Sequence, residues 1–271
     1  MNYEYIKPSK VLQPFIKYYW ILEDHKNPGN ACQQRIFPTG FIEVIFYYGD
    51  PYFKISKNSC KELQPRSQIN GHTTGYYDVL PAGKVGLLST VLHPNAARLF
   101  FDLPITEFTN QSVNIADLKG DEINALEEQL QAAINNKERI SAVEQYFFEK
   151  LIEKKLYDFK KINHCISKIN LKKGIISIPE LANESFLSQK QFNRKFSEFV
   201  GLNPKQFLRI IRFQHAIFSY QNNPSVNFTE LAYACGYFDQ SHFIHEFKTF
   251  TGLTSRELFK NCQPYSDYFA Q

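Results

Sequence analysis

Two stretches of the chain set hydrogen-bonding side chains between phenylalanines that stand four residues apart. After Ser188 these side chains are Lys190, Gln191, Asn193, Arg194 and Lys195. After Asp239 they are Gln240, Ser241, His242, His245 and Lys248. Lysine and arginine donate to guanine or neutralise phosphate, and amide side chains form paired hydrogen bonds with adenine. Both stretches therefore have the chemistry to contact base edges and the backbone of a DNA duplex.

The two stretches belong to an internal repeat. Residues 192–208 align with residues 243–259 at an offset of 51, and five positions are identical. Upstream, residues 178–182 align with residues 228–232 at an offset of 50. Self-similarity at a nearly constant offset indicates one supersecondary unit built twice. A solvated polar face is the simpler interpretation of a single stretch, but two copies in a basic region favour DNA binding.

Each copy begins with a predicted short helix that ends in a tight turn. Capping-box pairs start these helices, Ser177 with Glu180 and Asn227 with Glu230. The first copy breaks near residues 184–187. The second breaks at Cys235-Gly236-Tyr237, where a glycine permits the backbone angle that a tight turn requires.

A second helix follows each turn, with Ser188 and Asp239 as the predicted N-caps. These signals predict helix-turn-helix units over residues 177–200 and 227–251, in which the second helix enters the major groove. Residues 204–222 begin with proline and are apolar at helical spacing. They predict a long connecting helix that holds the two units about one DNA turn apart, ~34 Å.

The first 116 residues predict a β-rich domain. Runs of β-branched and aromatic residues bounded by glycine and proline are typical of strands. These runs are Phe15–Leu22, Phe41–Tyr48, Gly71–Tyr77 and Lys84–Leu92. Several short strands of this kind predict a barrel or a sandwich.

From Asp117 onward the period of the apolar residues changes to threes and fours, which predicts amphipathic helices over residues 117–154. The apolar stripe comprises Leu118, Ile123, Leu126, Leu130, Ile134, Val143, Phe147 and Leu151. Such a stripe can cover the sheet or pair with a second copy of the chain, and the sequence does not decide between the two.

Charge is unevenly distributed along the 271 residues. Residues 1–154 hold 16 Lys and Arg against 18 Asp and Glu, a net charge of −2. Residues 155–271 hold 15 against 9, a net charge of +6. This asymmetry favours a polyanionic partner for the second part. Residues 149–161 carry little hydrophobic signal, so we expect a domain boundary there, between residues 154 and 155.

The segment GYFDQSHFIHEFKTFTGLT, residues 236–254, resembles the C-terminal DNA-binding domain of AraC/XylS-type transcriptional regulators. The resemblance covers residues 160–260. It implies base contacts from Lys190, Gln191, Asn193 and Arg194 in the first unit, and from Gln240, Ser241, His242 and His245 in the second. His245 stands where the family usually has arginine, and Ser255 and Phe259 stand where proline and arginine are common. The first departure implies a weaker base or phosphate contact by the second unit.

The N-terminal part is similar to the effector domains that precede such modules, for example in RIFPTGFIEVIFYYGDP, residues 35–51. This resemblance implies an α+β chain: a β-rich, cupin-like barrel with following helices, then an all-α domain with two helix-turn-helix units. It also implies a small-molecule effector and double-stranded promoter DNA as partners. RNA polymerase and a second copy of the chain are compatible further partners.

A ligand pocket in the N-terminal domain would be lined by aromatic residues and a few polar anchors. The candidates are Trp20, Arg35, Phe37, Glu43, Phe46, Tyr48, His72, Tyr76 and Tyr77. Strand aromatics are more often core residues, so the pocket is a hypothesis that competes with simple packing.

Neither an enzyme nor a metal protein is predicted. Cupin-like metal sites need several converging histidines, whereas His25, His72 and His93 stand far apart. Cys235 with His242 and His245 is a weak metal candidate, since that helix is assigned to DNA. No phosphate loop or nucleophile motif occurs, and no cofactor is expected.

The cysteines and the hydropathy indicate where the chain works. The five cysteines are scattered, which favours a reducing cytoplasm, and no apolar run is long enough to span a membrane. Two alternatives to an effector-controlled regulator stay open: a ligand-independent dimeric DNA-binding protein, and a metal-dependent cupin-like enzyme fused to a DNA-binding module.

Overall fold

A computed structural model describes residues 2–24, 33–56, 60–119, 121–261 and 268–269. Its strands are β1 (Asn2–Ile6), β2 (Ile16–Asp24), β3 (Gln34–Ile36), β4 (Ile42–Tyr47), β5 (Tyr52–Ile55), β6 (Lys61–Leu63), β7 (Ser67–Asn70), β8 (Tyr77–Pro81), β9 (Val85–Leu92) and β10 (Ser112–Asn114). They form a six-stranded sheet in the order β1-β2-β9-β4-β7-β10 and a four-stranded sheet in the order β3-β8-β5-β6. All these strand pairs are antiparallel.

Strand β4 shows how the two sheets are packed. Val44 and Phe46 point into the main hydrophobic core, which the following helices cover. Ile45 and Tyr47 point into a smaller cluster between the two sheets. Because side chains alternate between faces along a strand, β4 contributes to both layers, which explains why five of its six residues are apolar or aromatic. The predicted β-rich N-terminal part is confirmed.

The predicted strand over Gly71–Tyr77 is wrong. The chain forms β7 before this segment, residues 71–76 are a loop, and β8 begins only at the last residue, Tyr77. A Cβ atom on Gly71 would lie 2.0 Å from the carbonyl oxygen of Phe108, and Thr74 N donates to Asn110 Oδ1 at 2.7 Å. Gly71 therefore marks a close approach of this loop to the backbone around Phe108, which β-propensity does not reveal.

The helices are α1 (Ala116–Lys119), α2 (Asp121–Ala132), α3 (Asn136–Lys150), α4 (Leu156–Leu171), α5 (Ile178–Glu184), α6 (Gln189–Val200), α7 (Pro204–Asn222), α8 (Phe228–Ala234), α9 (Gln240–Thr251) and α10 (Ser255–Asn261). The stripe on α2 and α3 covers the chain's own core: Ile123, Val143 and Phe147 are fully buried there. Ile134 departs from the predicted stripe, because it lies in the turn between α2 and α3 and is 89% exposed.

Both helix-turn-helix units form where the sequence places them, and α7 is the predicted connecting helix. Ser177 Oγ accepts from Glu180 N, and Ser188 closes a full capping box with Gln191. Asn227 caps α8 through the amide of Thr229, one residue earlier than predicted. The caps fix where each helix begins, which is why local sequence was sufficient to predict the units.

The main hydrophobic core is continuous from the six-stranded sheet into the C-terminal helices. The ring of Phe15 packs on that of Phe159 with centroids 5.4 Å apart, and the buried Asn95 Nδ2 donates to Phe159 O at 3.2 Å. The boundary between residues 154 and 155 stays a prediction, since packing continues across it.

The turn of the first unit contains a strained residue. Phe186 has φ +54° and is 92% exposed, whereas its equivalent in the second unit is Gly236, with φ +75°. A left-handed conformation costs a non-glycine residue about 1–2 kcal/mol, which a glycine at this position would avoid. Glycine also makes the unfolded chain more flexible, and this entropy offsets part of the stability gained. We expect Phe186→Gly to raise the free energy of unfolding by about 0.5–1 kcal/mol in urea denaturation. Gly236→Ala should lower the free energy of unfolding. If Phe186→Gly left the urea midpoint unchanged, Phe186 would not be strained.

Candidate nucleic-acid interface

Helices α6 and α9 present the predicted polar side chains to solvent. Four from α6 are exposed, namely Lys190, Gln191, Asn193 and Arg194. All five from α9 are exposed, namely Gln240, Ser241, His242, His245 and Lys248. Lys195 is placed differently: it is partly buried, and its Nζ donates to Asp158 Oδ2 of α4 at 2.5 Å. Its charge is already paired within the protein.

The opposite faces of both helices are buried phenylalanines, namely Phe192, Phe196, Phe199, Phe243, Phe247 and Phe250. Three of them pack on the connecting helix α7. Phe196 lies against Phe207 with centroids 5.6 Å apart, and Phe213 lies against Phe247 and Phe250 at 4.9 and 5.1 Å. Because residues three and four apart share one helix face, these anchors direct the polar residues outward. Helix α7 therefore supports both polar faces.

Some polar side chains in these helices also have structural partners. Gln191 Oε1 accepts from the amide of Ser188 at 3.1 Å, which leaves its NH2 group for other contacts. Gln240 Oε1 accepts from Thr229 Oγ1 at 3.2 Å, and His242 Nδ1 from the amide of Phe238 at 3.4 Å. These bonds help to fix the start of each helix.

Sequence reasoning missed a buried ion pair in the second unit. Glu246 lies on α9, is 1% exposed, and its Oε2 is 2.7 Å from Arg209 Nε of α7. The sequence signal is an acidic residue between Phe243 and Phe247, on the helix face that packs inward. A buried carboxylate is destabilising without a partner, so this pair fixes α9 against α7.

The N-terminal domain contains a cavity of about 220 Å³ between its two sheets. Five predicted ligand residues line it, namely Trp20, Arg35, Phe37, Glu43 and Tyr77. Lining residues that sequence reasoning missed include Leu22, Tyr47, Tyr52, Gln64, Asn70 and Leu87. Glu43, Ile45 and Tyr47 share one face of β4, so the alternation of strand side chains could have identified two of the missed positions.

Four predicted ligand residues lie elsewhere. Phe46 is on the opposite face of β4, in the main core. Tyr48 donates through its hydroxyl to Glu23 Oε1 at 2.8 Å, outside the cavity. His72 is buried against Phe207 of α7, and Tyr76 contacts Gly252 at the end of α9. The last two therefore contact the C-terminal helices.

The cavity has one acidic and one basic group. Glu43 Oε2 accepts from Ser89 Oγ at 3.1 Å. Arg35 forms two hydrogen bonds with Asp78, at 2.8 and 3.0 Å, and its Nη1 donates to the carbonyl oxygen of Thr251 at 3.1 Å. Burial, followed by the charge of Glu43, raises the pKa of the Tyr77 hydroxyl, which therefore stays protonated as a donor.

The described residues contain no cluster of three or more candidate metal ligands. Burial lowers the pKa of His72 to about 4 and also lowers that of His93. His25, Cys32 and Cys262 lie outside the described residues. In the part of the chain that the structure describes, no helix combines the length and apolar character needed to cross a membrane.

Two family descriptions match the chain. Residues 4–114 match a domain of unknown function, DUF6597, and residues 181–261 match a helix-turn-helix domain. No curated protein matches the chain.

Similar solved structures include two of ToxT from Vibrio cholerae. Unsaturated fatty acid-bound ToxT from strain SCE256 is 14% identical, with a TM-score of 0.42, and the match covers 89% of this chain and 93% of that one. ToxT from strain O395, bound to (E)-4-(8-methylnaphthalen-1-yl)but-3-enoic acid, is 14% identical with a TM-score of 0.42. The match covers 96% of this chain and 99% of that one.

A third similar structure is that of the AraC-like transcriptional activator CuxR, which is 12% identical with a TM-score of 0.25. The match covers 79% of this chain and 85% of that one. The helix-turn-helix match falls on the two repeated units joined by α7. The chain therefore carries a C-terminal helix-turn-helix domain over residues 181–261.

Proposed function

We propose that the chain is a one-component transcriptional regulator whose α6 and α9 read two adjacent major-groove segments of promoter DNA. The observation that carries this proposal is the repeated pair of helices, each with a buried phenylalanine face and an exposed polar face, on one connecting helix. Helix-turn-helix proteins contact base edges with the N-terminal residues of the second helix. Lys190, Gln191, Gln240 and Ser241 occupy that part of α6 and α9.

The proposed roles differ between the two helices. Arg194 supplies a guanidinium for guanine or phosphate, and Asn193 supplies an amide for adenine. In α9 we assign the corresponding base or phosphate contacts to His242 and His245, whose rings offer fewer hydrogen-bond donors than a guanidinium. We assign Lys195 a structural role, because its ammonium group is bonded to Asp158.

Selection of bound fragments from randomised duplex DNA by the intact chain tests this function. We expect a motif that spans two adjacent major-groove segments. Affinity for it should fall with salt, by ~0.9 in log affinity per unit of log salt for each phosphate neutralised. Equal affinity for all duplexes, unchanged by salt, would refute the proposal.

We further propose that the N-terminal cavity binds the effector. Aromatic walls, one carboxylate and one guanidinium are typical of a site for a small molecule with an apolar body and polar ends. A panel of small amines, alcohols and carboxylic acids, screened by thermal unfolding of the intact chain, should contain compounds that raise Tm by mass action. Glu43→Gln should abolish or reduce that rise, while Glu62→Gln, on the exposed strand β6, should retain it. A rise that Glu43→Gln leaves unchanged would place the ligand elsewhere.

The remaining partners follow from the same proposal. RNA polymerase and a cytoplasmic location fit a one-component regulator, and no catalytic activity is part of the proposal. A second copy of the chain is a weaker candidate, since the stripe on α2 and α3 is buried in the chain's own core. Phe148, 60% exposed on α3, is the main apolar side chain that this helix leaves uncovered.

A further inference from the structure

We infer that Thr109 and Arg35 are positioning residues: each holds the C-terminal end of one reading helix, and together they set the spacing at which α6 and α9 meet DNA. The inference rests on the proposed function, in which these two helices read the duplex. It adds a role for the N-terminal domain that does not require a ligand. Three observations carry it: a contact on α6, an equivalent contact on α9, and the repeat that relates them.

The contact on α6 lies at Gly201, which ends the helix in the left-handed conformation with φ +86°. Thr109 Oγ1 donates to the carbonyl oxygen of Gly201 at 2.6 Å. A Cβ atom on Gly201 would lie 2.8 Å from the carbonyl oxygen of Ile105, so the helix end is seated directly on the 3-10 helix Ile105–Phe108. Arg98 of the N-terminal domain also approaches Glu198 of α6, with 3.4 Å between Nε and Oε1.

The contact on α9 lies at Thr251 and Gly252, and Gly252 ends this helix with φ +76°. Arg35 Nη1 donates to Thr251 O at 3.1 Å, and a Cβ atom on Gly252 would lie 2.6 Å from the ring of Tyr76. The Arg35 guanidinium lies 4.3 Å from the centroid of that ring and is also paired with Asp78. A cation at a helix C-terminus interacts favourably with the helix dipole and its last carbonyl groups.

The two contacts lie at corresponding helix ends, because Gly201 and Gly252 are the same position of the repeat, 51 residues apart. The accepting carbonyl groups differ by one position, at Gly201 in α6 and at Thr251 in α9. The N-terminal domain therefore holds corresponding ends of the two reading helices. The side chains proposed to face DNA stay exposed, so this support does not cover the DNA-binding faces.

Such support has a definite consequence for binding. When helix ends are fixed before DNA arrives, less ordering is left for the binding step. On a duplex whose half-sites are wrongly spaced, either a contact between the N-terminal domain and a helix end must break, or one helix cannot enter its major groove. Loss of either contact should therefore weaken the discrimination between spacings more than it weakens the contact with a single half-site.

The test uses the intact chain and duplexes that carry the selected motif with its two halves at the natural spacing or one base pair closer or farther apart. Affinities are measured for the wild type, Thr109→Val and Arg35→Met. We expect the wild type to discriminate between spacings by about tenfold, and each variant by about threefold or less. Affinity for a duplex with one half-site should stay within about twofold of the wild type, which a general loss of folding would not allow.

Two variants serve as controls. Thr109→Ser keeps the hydroxyl donor and should restore discrimination. Arg66→Met removes an exposed arginine that bonds Gly49 O within the N-terminal domain, and it should behave as wild type. Full discrimination by both positioning variants, or tighter binding by either at the natural spacing, would overturn the inference. Absence of a two-part motif for the wild type would instead refute the proposed function.

Discussion

Replacing Arg194 with alanine is expected to lower affinity for the selected duplex by about 10- to 100-fold, because a good bidentate arginine contact contributes ~1–3 kcal/mol. Arg194 is exposed on α6, between the buried Phe192 and Phe196. Titration of a labelled duplex at fixed salt measures the loss. Repeating the selection with the variant should show relaxed base preference within one half-site only.

The control is Arg66→Ala, which removes the same charge from an exposed position in the N-terminal domain. It should change the affinity by less than about twofold, since long-range attraction is screened within ~10 Å at ordinary salt. His245→Ala should relax the other half-site by a smaller factor, because an imidazole has at most two donors against the five of arginine. If Arg194→Ala and Arg66→Ala lost equal affinity, the contact would be one of net charge rather than base reading.

The helix-turn-helix units could be predicted because their signals are local. Ser188 and Asp239 cap the helices that follow them within three residues, and phenylalanines at fours fix which face is buried. The same caps and phenylalanine spacing occur in both copies of the repeat, which strengthens the prediction. Helix periodicity groups Lys195 with the exposed polar residues, because its partner Asp158 stands 37 residues away in the sequence and no local pattern reveals the pair.

The cavity was only partly predictable because its lining depends on the register of two sheets. Glu43 and Phe46 belong to the same strand but to opposite faces, so they cannot both line one cavity. Tyr52 lies in the second sheet and Gln64 directly follows its strand β6, and the pairing of this sheet is set by long-range contacts. The contacts of Arg35 and Thr109 with the reading helices span 216 and 92 residues, and no local pattern indicates them.

Acidification from pH 7 to pH 4.5 is expected to destabilise the chain by about 2–3 kcal/mol through His72 alone. His72 is 2% exposed, its Nε2 lies 3.3 Å from Pro94 O, and its ring packs on Phe207 of α7 with centroids 5.8 Å apart. Burial lowers its pKa to about 4, against an ordinary histidine value near 6.5. The unfolded chain therefore binds this proton first as pH falls. The stability from neutral His72 is complete above pH 6.5 and is lost progressively down to pH 4.

Urea denaturation of the wild type and of His72→Leu, at pH 7 and pH 4.5, isolates this effect. The two proteins can differ in stability at pH 7. The quantity compared is therefore the loss of unfolding free energy between pH 7 and pH 4.5 in each protein. Carboxylates with lowered pKa, such as Asp102 at about 2, lose their contribution mainly below pH 4 and are common to both proteins.

His215 is a second buried histidine whose pKa is lowered to about 4, and it is also common to both proteins. The variant should therefore be less sensitive to acid than the wild type without being insensitive. His245→Leu removes an exposed histidine and should show the wild-type sensitivity. Because His72 joins the N-terminal loop to the connecting helix, its protonation acts on the packing that supports both reading helices. If His72→Leu and the wild type lost equal stability between pH 7 and pH 4.5, this histidine would not be the group that the folded chain keeps neutral.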